Sequence, residues 1–328
     1  MGVGCVEYKY MDSKPASFRV LLGVIILIVV VLAVAFLPWL SPVRSWLGTL
    51  MLPDYAKAPF IGVEGDKGVL YTVGLFGVET RVFGDYSLVE YARQGEIEVA
   101  ILRQGTSYDI YDVSEAEPIP LTDDGVEKYS IDLSKDGSQV LYSVKARTLP
   151  LPAGAGEDDI VYQLAEWDVM IVDRTTKTAA RVGPGNNAHF YGDGVFYPAP
   201  TGLVYRVPGE NGFDVSDEGS VLADVMAYRM MRIADLSEEG KLAFPGILGG
   251  TFEVIVIDST APLAVTAAPE HPIQMQGAKD VAFRGNTTFI LGVKADGNLA
   301  VFKQLESGVQ PVYTFPAGKY PERFVSTY

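Results

Sequence analysis

The chain has 328 residues, a formal net charge of -15 and one cysteine. The surplus of carboxylates excludes most nucleic-acid binders, which need a basic face against phosphate, and disfavours broad contact with anionic lipid headgroups; solubility alone accounts for it. A lone Cys5 excludes an intramolecular disulfide, so the fold must be held by burial, for which 48% hydrophobic residues are ample.

Residues 1–19 read as a cytoplasmic N-terminal tail. Cys5 lies ahead of the apolar run instead of ending it, which argues against a lipoprotein-type modification; an inert thiol is the simpler reading and reversible acylation the alternative. Val20–Leu37, VLLGVIILIVVVLAVAFL, has no charged or polar side chain and is followed by Pro38. At about 1.5 Å per residue the run spans roughly 27 Å, close to the hydrocarbon thickness of a bilayer. In lipid, a helix is the way such a segment satisfies its backbone. The run predicts one transmembrane helix, and hence contact with membrane lipid. A cleaved signal peptide is the competing reading, because Ala33-Val34-Ala35 has the small-x-small form; Phe36 and Leu37 prolong the run past an ordinary signal core and favour an uncleaved anchor. Lys9, Lys14 and Arg19 precede the helix and Arg44 is the first basic residue after it, which predicts an extracytoplasmic C-terminal domain.

Residues 38–57 form a juxtamembrane stretch. Ser41-Pro42 suits a helix start, and Val43, Trp46, Leu47, Leu50 and Met51 recur at helical spacing up to Pro53. Arg19, Trp39, Arg44 and Trp46 are the expected membrane-interface residues. Packing of this amphipathic helix on the following domain explains it equally well.

From residue 58 to 328 the helical period gives way to short apolar runs separated by Gly, Asp, Asn and Pro. Asp193-Gly194 and Asp296-Gly297 each sit between two such runs and predict hairpin turns. The segment is also self-similar. Trp167–Asp173 matches Phe252–Asp258 by residue class at every position, and Asp132-Leu133-Ser134-Lys135-Asp136-Gly137 matches Asp235-Leu236-Ser237-Glu238-Glu239-Gly240. Each turn is followed by a strand-like run, Val140–Tyr142 and Leu242–Phe244. Repeats of four short strands predict an all-β β-propeller, whose middle strands are packed on both faces and need not alternate.

The D-L-S-x-[DE]-G turn, followed by an apolar strand that ends in Asp and a polar turn (Asp173–Lys177), resembles the TolB-like, WD-repeat-like propeller repeat. The resemblance covers most of residues 58–328 and implies architecture, since such propellers serve as scaffolds, binding modules and accessory domains of enzymes. Six blades are expected, near 58–86, 87–125, 126–185, 186–220, 221–271 and 272–318, with seven, or five with an open edge, as alternatives. Arg323–Tyr328 is expected to supply a strand missing from the first blade and close the ring.

Chemistry is sparse. Gly240 precedes Asp258 by 18 residues, whereas Gly137 precedes Asp173 by 36, which places an insertion within 147–166. Its Arg147, Pro150, Pro152, Glu157, Asp158 and Asp159 are the candidate partner-binding residues; an enlarged solvated hairpin is the plainer reading. Asp132-x-Ser134-x-Asp136-Gly137 matches the start of a calcium loop, but the twelfth position is Ser143, so the segment reads as a structural turn. His189 and His271 lack metal-ligand spacing, and no nucleophile elbow, phosphate loop or dinucleotide fingerprint is present. No catalytic, cofactor or metal residue is assigned. The expectation is a non-enzymatic, membrane-tethered module that binds a protein or envelope-polymer partner and no nucleic acid. The alternative is a surface hydrolase or lyase with carboxylates in the propeller channel.

Overall fold

The computed structural model describes residues 53–56, 58–74, 77–149, 160–209, 212–214, 220–223, 235–236, 242–248, 251–257, 275, 277–284 and 287–325. Pro53–Tyr328 forms one compact unit. The expected anchor, Val20–Leu37, the amphipathic stretch Pro42–Leu52 and the interface residues Arg19, Trp39, Arg44 and Trp46 lie outside the described residues. Among the described residues no helix is long and apolar enough to cross a membrane.

The unit is an all-β propeller of antiparallel sheets in sequence order. Blade one holds β1 (Phe60–Glu64), β2 (Lys67–Gly74) and β3 (Gly77–Arg81). Blade two holds β4 (Ser87–Gln94), β5 (Ile97–Gln104), β6 (Ser107–Asp112) and the short β7 (Ile119–Pro120). Blade three holds β8 (Lys128–Leu133), β9 (Gln139–Lys145), β10 (Trp167–Asp173) and β11 (Ala179–Pro184), with helix α1 (Ile160–Ala165) ahead of β10. Blade four holds β12 (His189–Tyr191), β13 (Gly194–Ala199), β14 (Gly202–Arg206) and β15 (Ser220–Ala223). A three-stranded sheet follows: β16 (Asp235–Leu236), β17 (Leu242–Leu248) and β18 (Thr251–Ile257). The last blade holds β19 (Ala278–Arg284), β20 (Thr287–Val293), β21 (Leu299–Leu305) and β22 (Gly308–Thr314). β23 (Tyr320–Phe324) pairs with β1 and completes blade one.

Five complete four-stranded blades are therefore described, not the six expected. The region expected to be blade five, 221–271, carries three paired strands among the described residues. The C-terminal closure is present, but β23 begins at Tyr320, earlier than the expected Arg323.

The middle strands show why continuous apolar runs belong here. In β5, Val99, Ala100, Ile101 and Leu102 are all at or below 1% exposure, and β9 and β20 carry similar buried runs. A blade buries both faces against its neighbours, and each large aliphatic side chain so buried contributes about 1.5–3 kcal/mol. Close approach between blades is absolute at Gly68. A Cβ there would lie 1.8 Å from the Leu88 carbonyl oxygen of blade two, and its N–H instead donates to Ser87 Oγ at 2.8 Å.

The first strands form the inner edges: β4 contacts β8, β8 contacts β12 and β19 contacts β23. β4, β8, β19 and β23 each carry a register shift against the second strand of their sheet, at Leu88/Glu90, Tyr129/Ile131, Ala278/Asp280 and opposite Ile61/Gly62. Such bulges bend a strand and re-aim its side chains. They recur at equivalent places, and each of the first three precedes or adjoins an inner-edge carboxylate strand segment.

Antiparallel order gives the propeller two faces. Turns between first and second strands, and between third and fourth, lie on one, here the hairpin face. Turns between second and third strands, and the links between blades, lie on the other. The chain enters and leaves on the hairpin face, where Phe60 at the start of β1 pairs with Phe324 at the end of β23.

Candidate functional site

The inner strands carry several of the buried polar groups, among them Glu90, Asp132, His189 and Asp280, and their carboxylates are used in holding the blades together. Glu90 on β4 accepts from Arg323 on β23 at 2.5 Å, and the same guanidinium donates to the Val89 carbonyl and lies 5.5 Å from the Tyr129 ring centroid. Asp132 on β8 accepts from the Phe190 N–H of β12 at 2.9 Å; Asp280 on β19 accepts from the Phe324 N–H of β23 at 2.7 Å. In both cases a carboxylate caps a backbone donor of the next blade's first strand. His189, 6% exposed, lies with Nδ1 3.7 Å from Asp132 and Nε2 3.2 Å from the Asn187 amide. Ser143 joins Ser130 and receives the Asn187 N–H. Among the described residues no group of three His, Cys, Asp or Glu could hold a metal ion.

One concave feature among the described residues is a cleft of about 1020 Å³ on the hairpin face, spanning three blades. Blade two contributes Gln94 at the end of β4, blade three the 134–139 turn, and blade four Phe190, Tyr191 and Asp193 around the β12–β13 turn. Pro208 and Phe213, from the link between β14 and β15, supply the remaining wall. Leu133, Ile171 and Val195 face the cleft from the core, so an apolar floor is rimmed by Lys135, Asp136 and Asp193.

Local chemistry explains why these walls hold their shape. The Asp136 carboxylate accepts from the Ser134 hydroxyl at 2.7 Å and from the Ser138 N–H and hydroxyl at 3.0 and 2.9 Å. Those hydrogen bonds, Ser134's first, hold its pKa at about 2. Gly137 completes the turn at φ +69°, and a Cβ there would meet Ile97 Cδ1 at 2.3 Å. The calcium-like spacing is thus a self-contained turn, with Asp132 directed to the inner ring instead of toward Asp136. Arg174 braces it from the β10–β11 turn, donating to the carbonyls of Ser138 (through its N–H, 3.0 Å) and Gly137 (through Nη1, 2.8 Å) while pairing with Asp112 of blade two. Gln94 Nε2 donates to the Lys135 carbonyl at 3.1 Å. Across the cleft, the Tyr205 hydroxyl donates to the Tyr191 carbonyl, and burial raises its pKa.

The β12–β13 turn is one residue away from its predicted place. Tyr191 pairs with Gly194, so Gly192-Asp193 forms the corner, and Gly192, not Gly194, takes the positive φ of 56°. That shift puts Asp193 at the tip of the turn, on the cleft rim.

Of the sequence-derived binding residues, Arg147 is the one among the described residues, and it lies away from the cleft. Arg147 follows β9 and is therefore on the opposite face. Its Nε donates to the Ala165 carbonyl at 2.6 Å, and its Nη2 lies 3.2 Å from Asp168, which also pairs with Arg181 at 2.7 Å. Pro150, Pro152, Glu157, Asp158 and Asp159 lie outside the described residues, as does His271. The structure does not bring Arg147 to the cleft. The cleft residues Gln94, Phe190, Phe213 and Asp193 carry no motif in sequence, because they meet only through the stacking of blades.

No protein-family model matches the chain, and no curated protein matches it. Among solved structures, TolB from Acinetobacter baumannii superposes with a TM-score of 0.52 and 12% identity, over 83% of this chain and 68% of that one. A chain of a nidogen/laminin complex gives 0.49 and 9%, over 82% and 97%. Acylaminoacyl peptidase from Pyrococcus horikoshii gives 0.45 and 11%, over 79% and 46%, so this chain spans less than half of that enzyme. At such identities the likeness is one of fold alone. The fold is a TolB-like β-propeller.

Proposed function

We propose that this protein is a membrane-tethered, extracytoplasmic binding module whose cleft on the hairpin face receives a polypeptide segment of a partner protein. The observation that carries this reading is the cleft itself: about 1020 Å³, open across three blades, with an apolar and aromatic floor and a charged rim. Concave apolar sites with a few placed polar groups are the usual form of a recognition site, and aromatic anchors dominate the energetics of interfaces. The chain also enters the propeller on this face, so a partner presented near the entry point has direct access to the cleft.

The tether in this proposal is Val20–Leu37, on hydropathy, and the ring is completed by the three-stranded sheet standing as a sixth blade. Arg147, on the opposite face, is a second candidate contact, together with Pro150, Pro152, Glu157, Asp158 and Asp159 of the same insertion in sequence. The alternative of a hydrolase or lyase would need inner-ring carboxylates available to substrate. Glu90, Asp132 and Asp280 already accept hydrogen bonds from Arg323, Phe190 and Phe324, which favours binding over catalysis.

The test is in-cell crosslinking followed by recovery of the full-length chain from native membranes. Phe213→Glu is expected to lower the yield of the specific partner roughly tenfold, as loss of an aromatic anchor does, with an unchanged melting transition. Undiminished recovery would sink the proposal.

A further inference from the structure

Arg206, the last residue of β14, is 4% exposed, and no carboxylate among the described residues pairs with it. Its Nη1 donates to the Val182 carbonyl of blade three and its Nη2 to the Asp214 carbonyl, while Nε is buried with no partner. A guanidinium is permanently charged and carries five donors. Burying one against main-chain carbonyls alone, with a donor unused, is costly. Most buried arginines avoid that cost by pairing with a carboxylate.

The location relates this residue to the cleft. Arg206 stands directly opposite Val195 in the antiparallel register. Cross-strand neighbours share one face of a sheet, and Val195 lines the cleft. Asp214, whose carbonyl Nη2 holds, follows Phe213 of the cleft wall. The guanidinium therefore lies beneath the cleft, where the floor at Val195 meets the wall at Phe213. Gly183 makes room for it: a Cβ there would lie 2.7 Å from Nη1. Nε and Nη2 together form one edge of the guanidinium, and that edge is the one a carboxylate accepts with both oxygens. In this structure the edge is half used, by a neutral carbonyl.

Resting on the cleft reading above, we propose that Arg206 is a carboxylate-recognition residue and that the bound segment is apolar with one acidic group. That group, an Asp or Glu side chain or a C-terminal carboxylate, takes the Nε–Nη2 edge in place of the Asp214 carbonyl, and Nη1 stays on Val182. Lys135 is the rim charge that favours a negative group; Asp136 and Asp193 oppose one, which selects against segments that carry more than a single acidic group.

Two capped tetrapeptides test this against the full-length protein in nanodiscs by titration calorimetry: acetyl-Leu-Phe-Glu-Leu-amide and the same peptide with Gln for Glu. The Glu peptide is expected to bind roughly ten- to a hundredfold tighter, the range for a hydrogen-bonded charge. Arg206→Gln should bring it down to the level of the Gln peptide, which the substitution leaves unchanged. Phe213→Glu should weaken both peptides. Equal binding of the two by the native protein overturns the role of Arg206 and leaves the cleft reading standing. Failure of the Glu peptide to bind also overturns it. Indifference of both bound peptides to Phe213→Glu overturns the cleft reading instead. If Arg206→Gln does not fold, the Glu-to-Gln ratio of the native protein decides alone.

Discussion

Lys128 shows at the scale of one residue how the blades are joined. It is 1% exposed at the start of β8, with its ammonium 3.5 Å from Asp109, on Asp124, and within reach of the carbonyls of Tyr108 and Val126. A satisfied buried pair adds little net stability, but removal of one partner leaves the other uncompensated. Lys128→Ala should cost about 3–5 kcal/mol in urea unfolding, whereas Arg93→Ala, which loses an exposed pair with Glu98 at 3.8 Å, should cost under about 1 kcal/mol. Equal effects would contradict this account. A second residue-scale expectation concerns acid. Hydrogen bonds from Ser134 and Ser138 hold Asp136 at a pKa of about 2, and those from Asn298 and Lys294 hold Asp296 at about 2, against 3.8 for a free aspartate. A depressed carboxylate stabilises the fold above its unfolded pKa and loses that contribution as it protonates. The two turns should therefore loosen as pH falls from about 4 to about 2. Amide exchange at Ser138 and Asn298 reports it, and protection that is flat over that window would contradict the assignment.

At the scale of elements, closure depends on β23. It pairs with β1, caps Asp280 through the Phe324 N–H, and ties blade one to blade two through Arg323 and Glu90. The Lys319 ammonium adds a pair with Glu64 and a hydrogen bond to Thr80 at 2.7 Å. Ending the chain after Lys319 exposes the inner edge of β1 and should destabilise the domain by at least about 3 kcal/mol. A urea midpoint equal to that of the intact chain would contradict the closure. Much of this level was legible in sequence. Val140–Tyr142 reads as a strand without alternation because a blade is buried on two sides, and a closing C-terminal strand follows from a first blade short of strands. The inner-strand bulges were not legible. Ser130 has no sequence feature that announces its φ of 51°, and the Asp193-Gly194 pair suggested a corner one residue from its place. Hydrophobic pattern sets which face a strand buries, whereas turn register depends on the partner strand as well.

At the scale of the whole molecule, the cleft exists only because three blades are stacked. Gln94, Lys135 and Asp193 come from three separate hairpins, each an ordinary turn in its own sequence context. The spacing of the repeats instead points to the insertion that begins at Arg147, a residue on the opposite face. Arg206 carries no sequence signal for the same reason: its pairing with Val195 and its reach to Val182 are set by sheet register and blade contact. The two faces make competing claims on a partner, and one measurement separates them. A photo-reactive amino acid is placed in turn at Asp193, at Phe213 and at Arg147 of the full-length chain in native membranes. The account predicts a discrete adduct from Asp193 and Phe213 that is absent or much weaker from Arg147. Adducts from Arg147 alone would contradict it.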